Sequence, residues 1–253
     1  MAELKALLFD VDGTLADTEA DGHRVAFNKA FVEAGLDWHW SVDTYGELLA
    51  VTGGKERIKF FVSDFLEDFF VDGDINDFAA ELHKRKTHFY LEMTQNGDIP
   101  LRTGVERFLR EVREAGFRLG IATTTTPANV SYLLKATLGE ESLDWFDVIA
   151  AGDIVPAKKP APDIYTYAMQ QMNIKAEETL AFEDSENGIL SSVAAGLKTV
   201  ITTNGYTESH DFSKAAIVLD QMGDENDTFT VIAGNAQGES YLNVALIKKL
   251  FAE

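Results

Sequence analysis

The chain has 253 residues, of which 45% are hydrophobic and 25% are charged, and its formal net charge is -20. This length and composition predict a globular protein with a sizeable core and exclude a disordered or low-complexity chain. The negative charge argues against general binding to nucleic acids or anionic membranes, because both partners are polyanions. An anionic small molecule is still compatible, because a local pocket or a bound cation outweighs distant, screened charges.

Cysteine usage and hydropathy exclude several further classes of protein. The sequence has no cysteine, so it has no disulfide framework, no thiol catalysis and no thiolate metal site. The apolar stretch at the amino terminus is too short for a signal-peptide core, and no apolar run approaches the roughly 20 residues that span a bilayer. We therefore expect a cytoplasmic protein with no membrane partner.

Short apolar runs that end in small or acidic residues recur along the chain and predict strands buried on both faces. These runs are 6–10, 119–124, 147–153, 179–184, 197–203 and 216–220. Helical patterns lie between or after them, at 105–116, 128–139, 163–173, 187–196 and 241–252. The alternation predicts an α/β fold with a Rossmann-like parallel sheet core and helices on both faces, whose ligands bind beyond the carboxyl ends of the strands.

Residues 17–98 interrupt the alternation, because they contain helical patterns and no convincing strand. The patterns cover 23–35, 55–70 and 75–93. We predict an α/β catalytic core formed by residues 1–16 and 99–253, and a helical cap domain, residues 17–98, inserted after the first strand. An insertion of this kind is expected to cover an active site, with its two crossings as hinges.

Acidic residues end two of the predicted strands. Asp10 and Asp12 follow the first apolar run, and Glu183 and Asp184 end the fourth. Two close carboxylates repel each other, and a Mg²⁺ ion or a shared proton removes that conflict. Taken alone, the first pair reads more simply as loop-capping aspartates, and the second has an alternative reading as an acidic helix start favoured by the helix dipole.

Two other polar residues stand at corresponding places along the chain. Thr123 lies near the end of the second apolar run, and Lys159 follows the third. Each also has an ordinary explanation, as a β-branched strand residue and as a surface lysine. Each residue alone is a weak signal, but their order along an α/β chain, together with the acidic pairs, is a specific one.

This order of motifs resembles the haloacid dehalogenase-like superfamily, over residues 1 to about 205. The four matching motifs are DVDGT at 10–14, Thr123, Lys159 and Glu183-Asp184. The resemblance implies that Asp10 attacks phosphorus to form an aspartyl-phosphate. It also implies that Asp12 protonates the leaving oxygen and later activates water, which makes Asp12 a general acid and base.

The same resemblance implies a set of ligands for the metal and the phosphate. The implied Mg²⁺ ligands are the carboxylate of Asp10, the main-chain oxygen of Asp12, and Asp184, with Glu183 close by. Thr123 and Lys159 are implied to bind the phosphoryl oxygens and to act with the two catalytic aspartates. A carboxylate attacks a phosphate dianion readily only when charge is neutralised, and Mg²⁺ with a lysine supplies that neutralisation.

Basic residues cluster within the predicted cap. Six of its eight lysines and arginines fall in 52–59 and 83–86. These residues have two interpretations: they form solvated helix faces, or they form a second anion site. The second is supported by Gly53-Gly54, which precede a predicted helix and expose backbone N–H groups that favour phosphate.

The details resemble the CbbY-like members of the superfamily, relatives of β-phosphoglucomutase. The resembling stretches are DTE at 17–19, His23-Arg24, TGGKERI at 52–58, Lys86, KKPAPDIY at 158–165 and EDS at 183–185. The implied substrate-binding residues are Glu19, His23, Lys55, Arg57, Lys86 and Thr124. The sequence departs from β-phosphoglucomutase in one place, since EADGH has an extra residue before His23.

By this resemblance we expect a Mg²⁺-dependent phosphatase acting on a small sugar phosphate, most simply a ketose bisphosphate such as xylulose 1,5-bisphosphate, a Rubisco inhibitor. We expect no partner beyond the small-molecule substrate, and a monomer. The enzymatic alternatives are a phosphomutase using the same aspartyl-phosphate and a phosphoglycolate phosphatase, whose smaller substrate leaves the basic residues of the cap idle. A receiver-like signalling module also has a phospho-accepting aspartate, but DVDGT and the long insertion argue against it.

Overall fold

The computed structural model describes residues 3–51, 53–66, 69–71 and 73–252. The chain divides into two compact units, Met1–Asp17 with Pro100–Glu253, and Thr18–Ile99. We call the first the α/β unit and the second the helical unit. None of the helices described in these ranges is long and apolar enough to cross a membrane.

The helical unit begins with a π-helical turn and continues with four α-helices. The turn is Thr18–His23, and the helices are α1 (Arg24–Glu33), α2 (Val42–Leu48), α3 (Gly54–Phe65) and α4 (Ile75–Asn96). The helices of the α/β unit are α5 (Val105–Glu114), α6 (Pro127–Leu138), α7 (Asp163–Met172), α8 (Glu186–Ala194) and α9 (Val244–Ala252). The N-cap of α6 is Thr126, whose hydroxyl accepts a hydrogen bond from the amide of Asn129, so the Thr-Pro pair starts a helix as its chemistry favours.

The α/β unit is built on one seven-stranded sheet. Its strands are β1 (Ala6–Phe9), β2 (Arg118–Thr123), β3 (Phe146–Ala151), β4 (Thr179–Glu183), β5 (Lys198–Thr202), β6 (Ile217–Leu219) and β7 (Val231–Ala233). The spatial order is β3-β2-β1-β4-β5-β6-β7. Neighbours are parallel except for β7, which runs antiparallel to β6. The predicted Rossmann-like α/β fold is confirmed.

The central position of β1 explains its continuous apolar sequence. All four of its residues are fully buried, because the strand has neighbours on both edges and apolar side chains over both faces. The ring of Phe9 stacks on Phe182 of β4 with centroids 4.5 Å apart, and meets Phe108 of α5 edge-on at 6.3 Å. These contacts fix the strand that delivers the first acidic motif.

The helical unit has its own aromatic core. Trp40 is fully buried, and its ring lies 4.6 Å from Phe27, 4.9 Å from Phe31 and 5.4 Å from Phe61, measured between centroids. The amide of Trp40 donates to the side-chain oxygen of Asn28 at 2.8 Å. Aromatic rings bury large areas each, so this unit has a hydrophobic core independent of the sheet.

The structure corrects the prediction for the helix over 55–70. Helix α3 ends at Phe65, because Leu66 is extended with φ -120° and ψ 106°. Beyond this point the ring of Phe69 packs against Trp38 at 4.8 Å, so tertiary packing overrides the helical pattern. The intervening residues 67 and 68 lie outside the described part of the chain.

One α-helix and one strand of the described chain have no counterpart among the predicted elements. Helix α2 has only seven residues and contains Gly46, so it is too short for a helical period and includes a poor helix former. Its N-cap is Ser41, whose hydroxyl accepts from the amide of Thr44 at 3.1 Å. Strand β7 has the short apolar sequence Val-Ile-Ala, but all three residues are exposed, unlike those of β6 beside it.

Two glycines that flank α5 provide a test of backbone strain. Gly104 has φ +83°, and a Cβ added there would lie 2.1 Å from the carbonyl oxygen of Gly223, whereas Gly116 has φ +84° and open space. We expect Gly104→Ala to lower the free energy of unfolding by about 1–3 kcal/mol more than Gly116→Ala, because only the first adds a clash to the cost of positive φ. Urea unfolding measures both, and equal losses would contradict the expectation.

Candidate active site

The carboxyl ends of three adjacent strands bring the predicted motifs together. Phe9, the last residue of β1, pairs in register with Ile121 of β2 and Phe182 of β4. Asp10 follows β1 directly, and its amide donates to the carbonyl of Phe182 at 3.0 Å. Thr123 and Glu183 are the last residues of the two flanking strands. Parallel strands thus deliver three polar side chains to one edge of the sheet.

Lys159 links two of the carboxylates at this edge. It lies between β3 and α7, and its Nζ is 2.9 Å from Oδ1 of Asp10 and 2.6 Å from Oε1 of Glu183. Its side chain is only 7% exposed. Burial alone would lower the pKa of Lys159, but the charges of Asp10 and Glu183 outweigh burial and raise that pKa above its ordinary value. The ammonium therefore stays charged.

Glu183 is enclosed by groups that hold its carboxylate in place. The hydroxyl of Tyr165 on α7 donates to Oε1 of Glu183. A Cβ added at Gly188 of α8 would lie 1.9 Å from Oε2 of Glu183. Helix α8 can therefore pack this close to the carboxylate only because residue 188 is a glycine. Burial raises the pKa of Glu183 to about 7, against the opposing charge of Lys159.

The acidic residues at this edge suit a hard cation. Asp10, Glu183 and Asp184 are buried, and each offers a carboxylate oxygen within 4.8 Å of the others. Burial raises the pKa of Asp184 well above its ordinary value, and the charges of Asp10 and Glu183 add to this. Oε2 of Glu183 is buried with no hydrogen-bond partner among the described residues. Mg²⁺ prefers oxygen ligands of this kind, so the donor set fits the predicted ion.

Asp12 lies in a tight loop between the first strand and the helical unit. The amide of Gly13 donates to the carbonyl of Ala16 at 2.7 Å, and the amide of Leu15 donates to Val11 at 2.9 Å. Gly13 has φ +81°, and a Cβ there would lie 2.1 Å from Oδ2 of Asp184. The loop therefore packs directly against the second acidic motif, with Asp12 half-buried within it.

The two threonines predicted to bind substrate differ in position. Thr123 is buried, and its Oγ1 accepts a hydrogen bond from the amide of Thr125 at 3.4 Å. Thr124 is exposed. The structure therefore places Thr123 at the strand end with the acidic residues, and Thr124 on the surface beyond it.

Two of the predicted substrate residues, Lys86 and His23, contact each other in the helical unit. Nζ of Lys86 lies 2.8 Å from Nδ1 of His23, and the ammonium lies about 5 Å from the ring centroids of Phe27 and Tyr90. Burial lowers the pKa of His23 well below 6.5, and the charges of Lys86 and Arg57 lower it further. The folded chain thus disfavours protonated His23, so this group reduces stability as the pH falls below the ordinary histidine pKa.

A second chain of contacts joins the remaining predicted residues of this unit. The guanidinium of Arg57 donates to the hydroxyl of Tyr45 at 2.7 Å, and that hydroxyl donates to Oε2 of Glu19 at 2.6 Å. Arg57 is buried, whereas Lys55 is exposed. Of the basic stretch 83–86, only Lys86 is buried. Among the basic residues of 52–59 and 83–86 that the structure describes, the buried cations are therefore Arg57 and Lys86.

Several residues of the site carry little sequence signal. Tyr165 and Tyr45 read as ordinary aromatic core residues, although each donates to a carboxylate. Gly188 lies in the first turn of α8, three residues after the N-cap Ser185. The hydroxyl of Ser185 accepts a hydrogen bond from the amide of Gly188. A glycine in the first turn of a helix that follows an acidic strand end is the signal available for such a contact.

Known proteins resemble this chain over most of its length. A model of the haloacid dehalogenase-like hydrolase family matches residues 4–196. Protein CbbY of Rhodobacter capsulatus is 48% identical over 213 residues, covering 84% of this chain and 91% of the relative. The crystal structure of CbbY from Rhodobacter sphaeroides in complex with phosphate is 42% identical, with a TM-score of 0.70 and coverage of 86% and 94% of the two chains. A mutant of that protein in complex with xylulose-(1,5)bisphosphate is 41% identical, with a TM-score of 0.70 and the same coverage, 86% and 94%.

The contact between Lys86 and His23 predicts a measurable shift. We expect Lys86→Met to raise the pKa of His23 part of the way to its ordinary value, because one opposing charge is removed while burial, the larger cause, remains. Lys84→Met, at an exposed position of the same helix, is the matched control and should leave that pKa unchanged. NMR titration of the imidazole measures the pKa, and no shift in Lys86→Met would contradict the expectation.

Proposed function

We propose, from the premise that this chain belongs to the haloacid dehalogenase-like hydrolase family and is a sugar-phosphate phosphatase, that it hydrolyses a ketose bisphosphate through an aspartyl-phosphate intermediate. The substrate we infer is xylulose 1,5-bisphosphate or a close analogue. The observation that carries the proposal is the buried group at the edge of the sheet, where Lys159 lies between Asp10 and Glu183.

The first step uses Asp10 as the nucleophile. An oxygen of its carboxylate forms a bond to phosphorus while the phosphorus–oxygen bond to the sugar breaks, and the leaving sugar oxygen takes a proton from Asp12. This step splits one difficult hydrolysis into two displacements. Asp10 suits the role because Lys159 holds one of its oxygens at 2.9 Å, which restricts the orientation of the carboxylate.

The second step uses Asp12 as the base. Its carboxylate takes a proton from water, whose oxygen then forms a bond to phosphorus as the bond to the Asp10 oxygen breaks. Free phosphate leaves, and both aspartates return to their initial states. Alternation between acid and base depends on placement within the loop, and the hydrogen bonds of Gly13 and Leu15 hold that loop.

Charge neutralisation falls to Lys159 and to a bound cation. Lys159 donates to the phosphoryl oxygens together with Thr123, because charge in phosphoryl transfer lies mainly on those oxygens. Asp10, the main-chain oxygen of Asp12, and Asp184 would hold Mg²⁺, with Glu183 close by. When bound, the ion neutralises negative charge on the phosphate and its ligands.

Substrate selection is assigned to the helical unit. Its buried cations Arg57 and Lys86 provide donors for a phosphate group, and the exposed Lys55 provides a further charge. His23 and Glu19 supply hydrogen-bonding groups for sugar hydroxyls, and Thr124 supplies another hydroxyl from the α/β unit. The choice of a bisphosphate as substrate is supported by the complex of a CbbY mutant with xylulose-(1,5)bisphosphate.

The test of the proposal is a comparison of substrates with and without Mg²⁺. We expect phosphate release to require Mg²⁺ and kcat/KM to be highest for xylulose 1,5-bisphosphate among sugar bisphosphates and monophosphates. Equal kcat/KM values across these substrates would retain the phosphatase and reject the bisphosphate. Conversion of β-glucose 1-phosphate to its 6-phosphate without phosphate release would identify a phosphomutase instead.

Replacement of the nucleophile predicts loss of the covalent intermediate. We expect Asp10→Asn to lower kcat/KM by about 10⁴-fold or more, because an amide does not replace the attacking carboxylate. Acid-quenched samples of the unmodified chain should contain protein heavier by one phosphoryl group, and Asp10→Asn samples should not. Intact-protein mass spectrometry makes this measurement, and substantial turnover by the variant would overturn the mechanism.

The exposed lysine of the helical unit tests the anion site. We expect Lys55→Ala to lower kcat/KM for the bisphosphate by about 10-fold or more, because a charge-assisted contact contributes roughly 1.5–3 kcal/mol. Turnover of p-nitrophenyl phosphate, which has no distal phosphate, should change little. Lys84→Ala is the matched control, since Lys84 is also exposed. Equal losses on both substrates would mean that Lys55 has no role in recognising the bisphosphate.

A further inference from the structure

Asn204 makes a hydrogen bond to one of the acidic residues at the edge of the sheet. It lies just after β5, and its Nδ2 donates to Oδ2 of Asp184 at 2.8 Å. Among the described residues, Asn204 is the side chain that donates a hydrogen bond to the carboxylate of Asp184. A charged, buried carboxylate gains considerably from such a donor, and the bond fixes one oxygen of Asp184.

The amide of Asn204 is itself oriented by a turn. Its Oδ1 accepts from the amide of Tyr206 at 3.0 Å, and its own backbone amide donates to Oγ1 of Thr207 at 3.0 Å. The first contact is an Asx-turn, in which the side chain accepts a hydrogen bond from a backbone amide two residues later. With the oxygen engaged in the turn, the nitrogen is the end that faces Asp184.

Arg102 ties this turn to the loop that follows β1. Its guanidinium donates to backbone carbonyl oxygens of Gly13, Thr202, Thr203 and Asp220. Its own amide donates to the carbonyl of Leu15 at 2.8 Å. The planar fork of an arginine suits simultaneous contacts with several oxygens, so one side chain fixes both segments that border Asp184.

Gly13 completes the arrangement. A Cβ there would lie 2.1 Å from Oδ2 of Asp184 and 2.8 Å from Nδ2 of Asn204. Two separate segments thus meet at Oδ2 of Asp184: the backbone of the loop after β1 and the side-chain amide of Asn204.

We propose that Asn204 is a positioning residue, whose amide holds Oδ2 of Asp184 so that Oδ1 is directed to a divalent cation, and that Arg102 anchors the turn that carries it. Because Asp184 is a metal ligand only under the proposed function, this role rests on that function. Groups that orient a metal-binding carboxylate affect metal affinity about 10–100-fold when they are removed.

The test measures Mg²⁺ binding directly, without substrate, by isothermal titration calorimetry of the full chain. Asn204→Ala removes the donor to Asp184, and we expect it to raise the Kd for Mg²⁺ by about 10–100-fold. Thr207→Val is the matched control. It removes the hydrogen bond from the backbone amide of Asn204 to Oγ1 of Thr207, and it retains the side-chain amide of Asn204 that contacts Asp184. We expect little change in its Kd.

A second variant separates the turn from the carboxylate contact. Asn204→Ser retains an oxygen that can accept from the Tyr206 amide in a similar turn, but its side chain is too short to reach Asp184. We expect the same loss of Mg²⁺ affinity as in Asn204→Ala, and we expect kcat of Asn204→Ser to recover at saturating Mg²⁺. This variant also serves if Asn204→Ala does not fold.

The outcomes distinguish the inference from the proposed function. Unchanged Mg²⁺ affinity in both Asn204 variants, with Mg²⁺-dependent turnover by the unmodified chain, would overturn the role of Asn204 alone. Equal losses in Thr207→Val and Asn204→Ser would also overturn it, because the turn and not the amide would then set the affinity. Failure of the unmodified chain to bind Mg²⁺ would overturn both the inference and the metal in the proposed function.

Discussion

The repulsion among three carboxylates buried at one edge of the sheet is the main constraint on the candidate site of the α/β unit. Asp10, Glu183 and Asp184 carry more negative charge than the single ammonium of Lys159 balances. Desolvation and mutual repulsion both disfavour the ionised forms. A protein tolerates such a group only when hydrogen bonds and counter-charges are supplied, and Tyr165 supplies one of them. The remaining excess of carboxylate oxygens makes this edge chemically suited to a hard cation.

In the helical unit, the charged side chains that are buried among the described residues are cations, although the net charge of the chain is -20. Arg57 and Lys86 are buried there, and His23 has a lowered pKa because burial and these cations disfavour its protonation. The carboxylate of Glu19 is linked to Arg57 indirectly, because both form a hydrogen bond with the hydroxyl of Tyr45. A local excess of buried donors is suited to an anion, whatever the overall charge. The buried charged groups of the two units thus create electrostatic environments of opposite sign, each within its own unit.

The sequence was informative wherever function and local pattern coincide. An apolar run ending in a polar residue is readable, and the parallel fold brings such endings together, which is why Asp10, Thr123 and Glu183 could be grouped before any coordinates. Their catalytic roles remain predictions. Asn204 follows an apolar run in the same manner and could have been found by that rule, whereas Arg102 stands in a loop and its contacts arise only from tertiary structure. The helical unit was less readable, because α2 is short and packing against Trp38 ends α3 early.

The position of β1 has a consequence for how the chain folds. Ala6 pairs in register with Arg118 and Thr179, so the strand that leads to Asp10 is synthesised long before either neighbour exists. Contacts between such distant residues carry a large loop-closure cost and form slowly. Both edges of the first strand therefore stay unpaired until β2 has been synthesised, and one edge stays unpaired until β4 follows. The independent aromatic core of the helical unit allows that intervening segment to fold first, which shortens the effective loop and reduces the period of exposure.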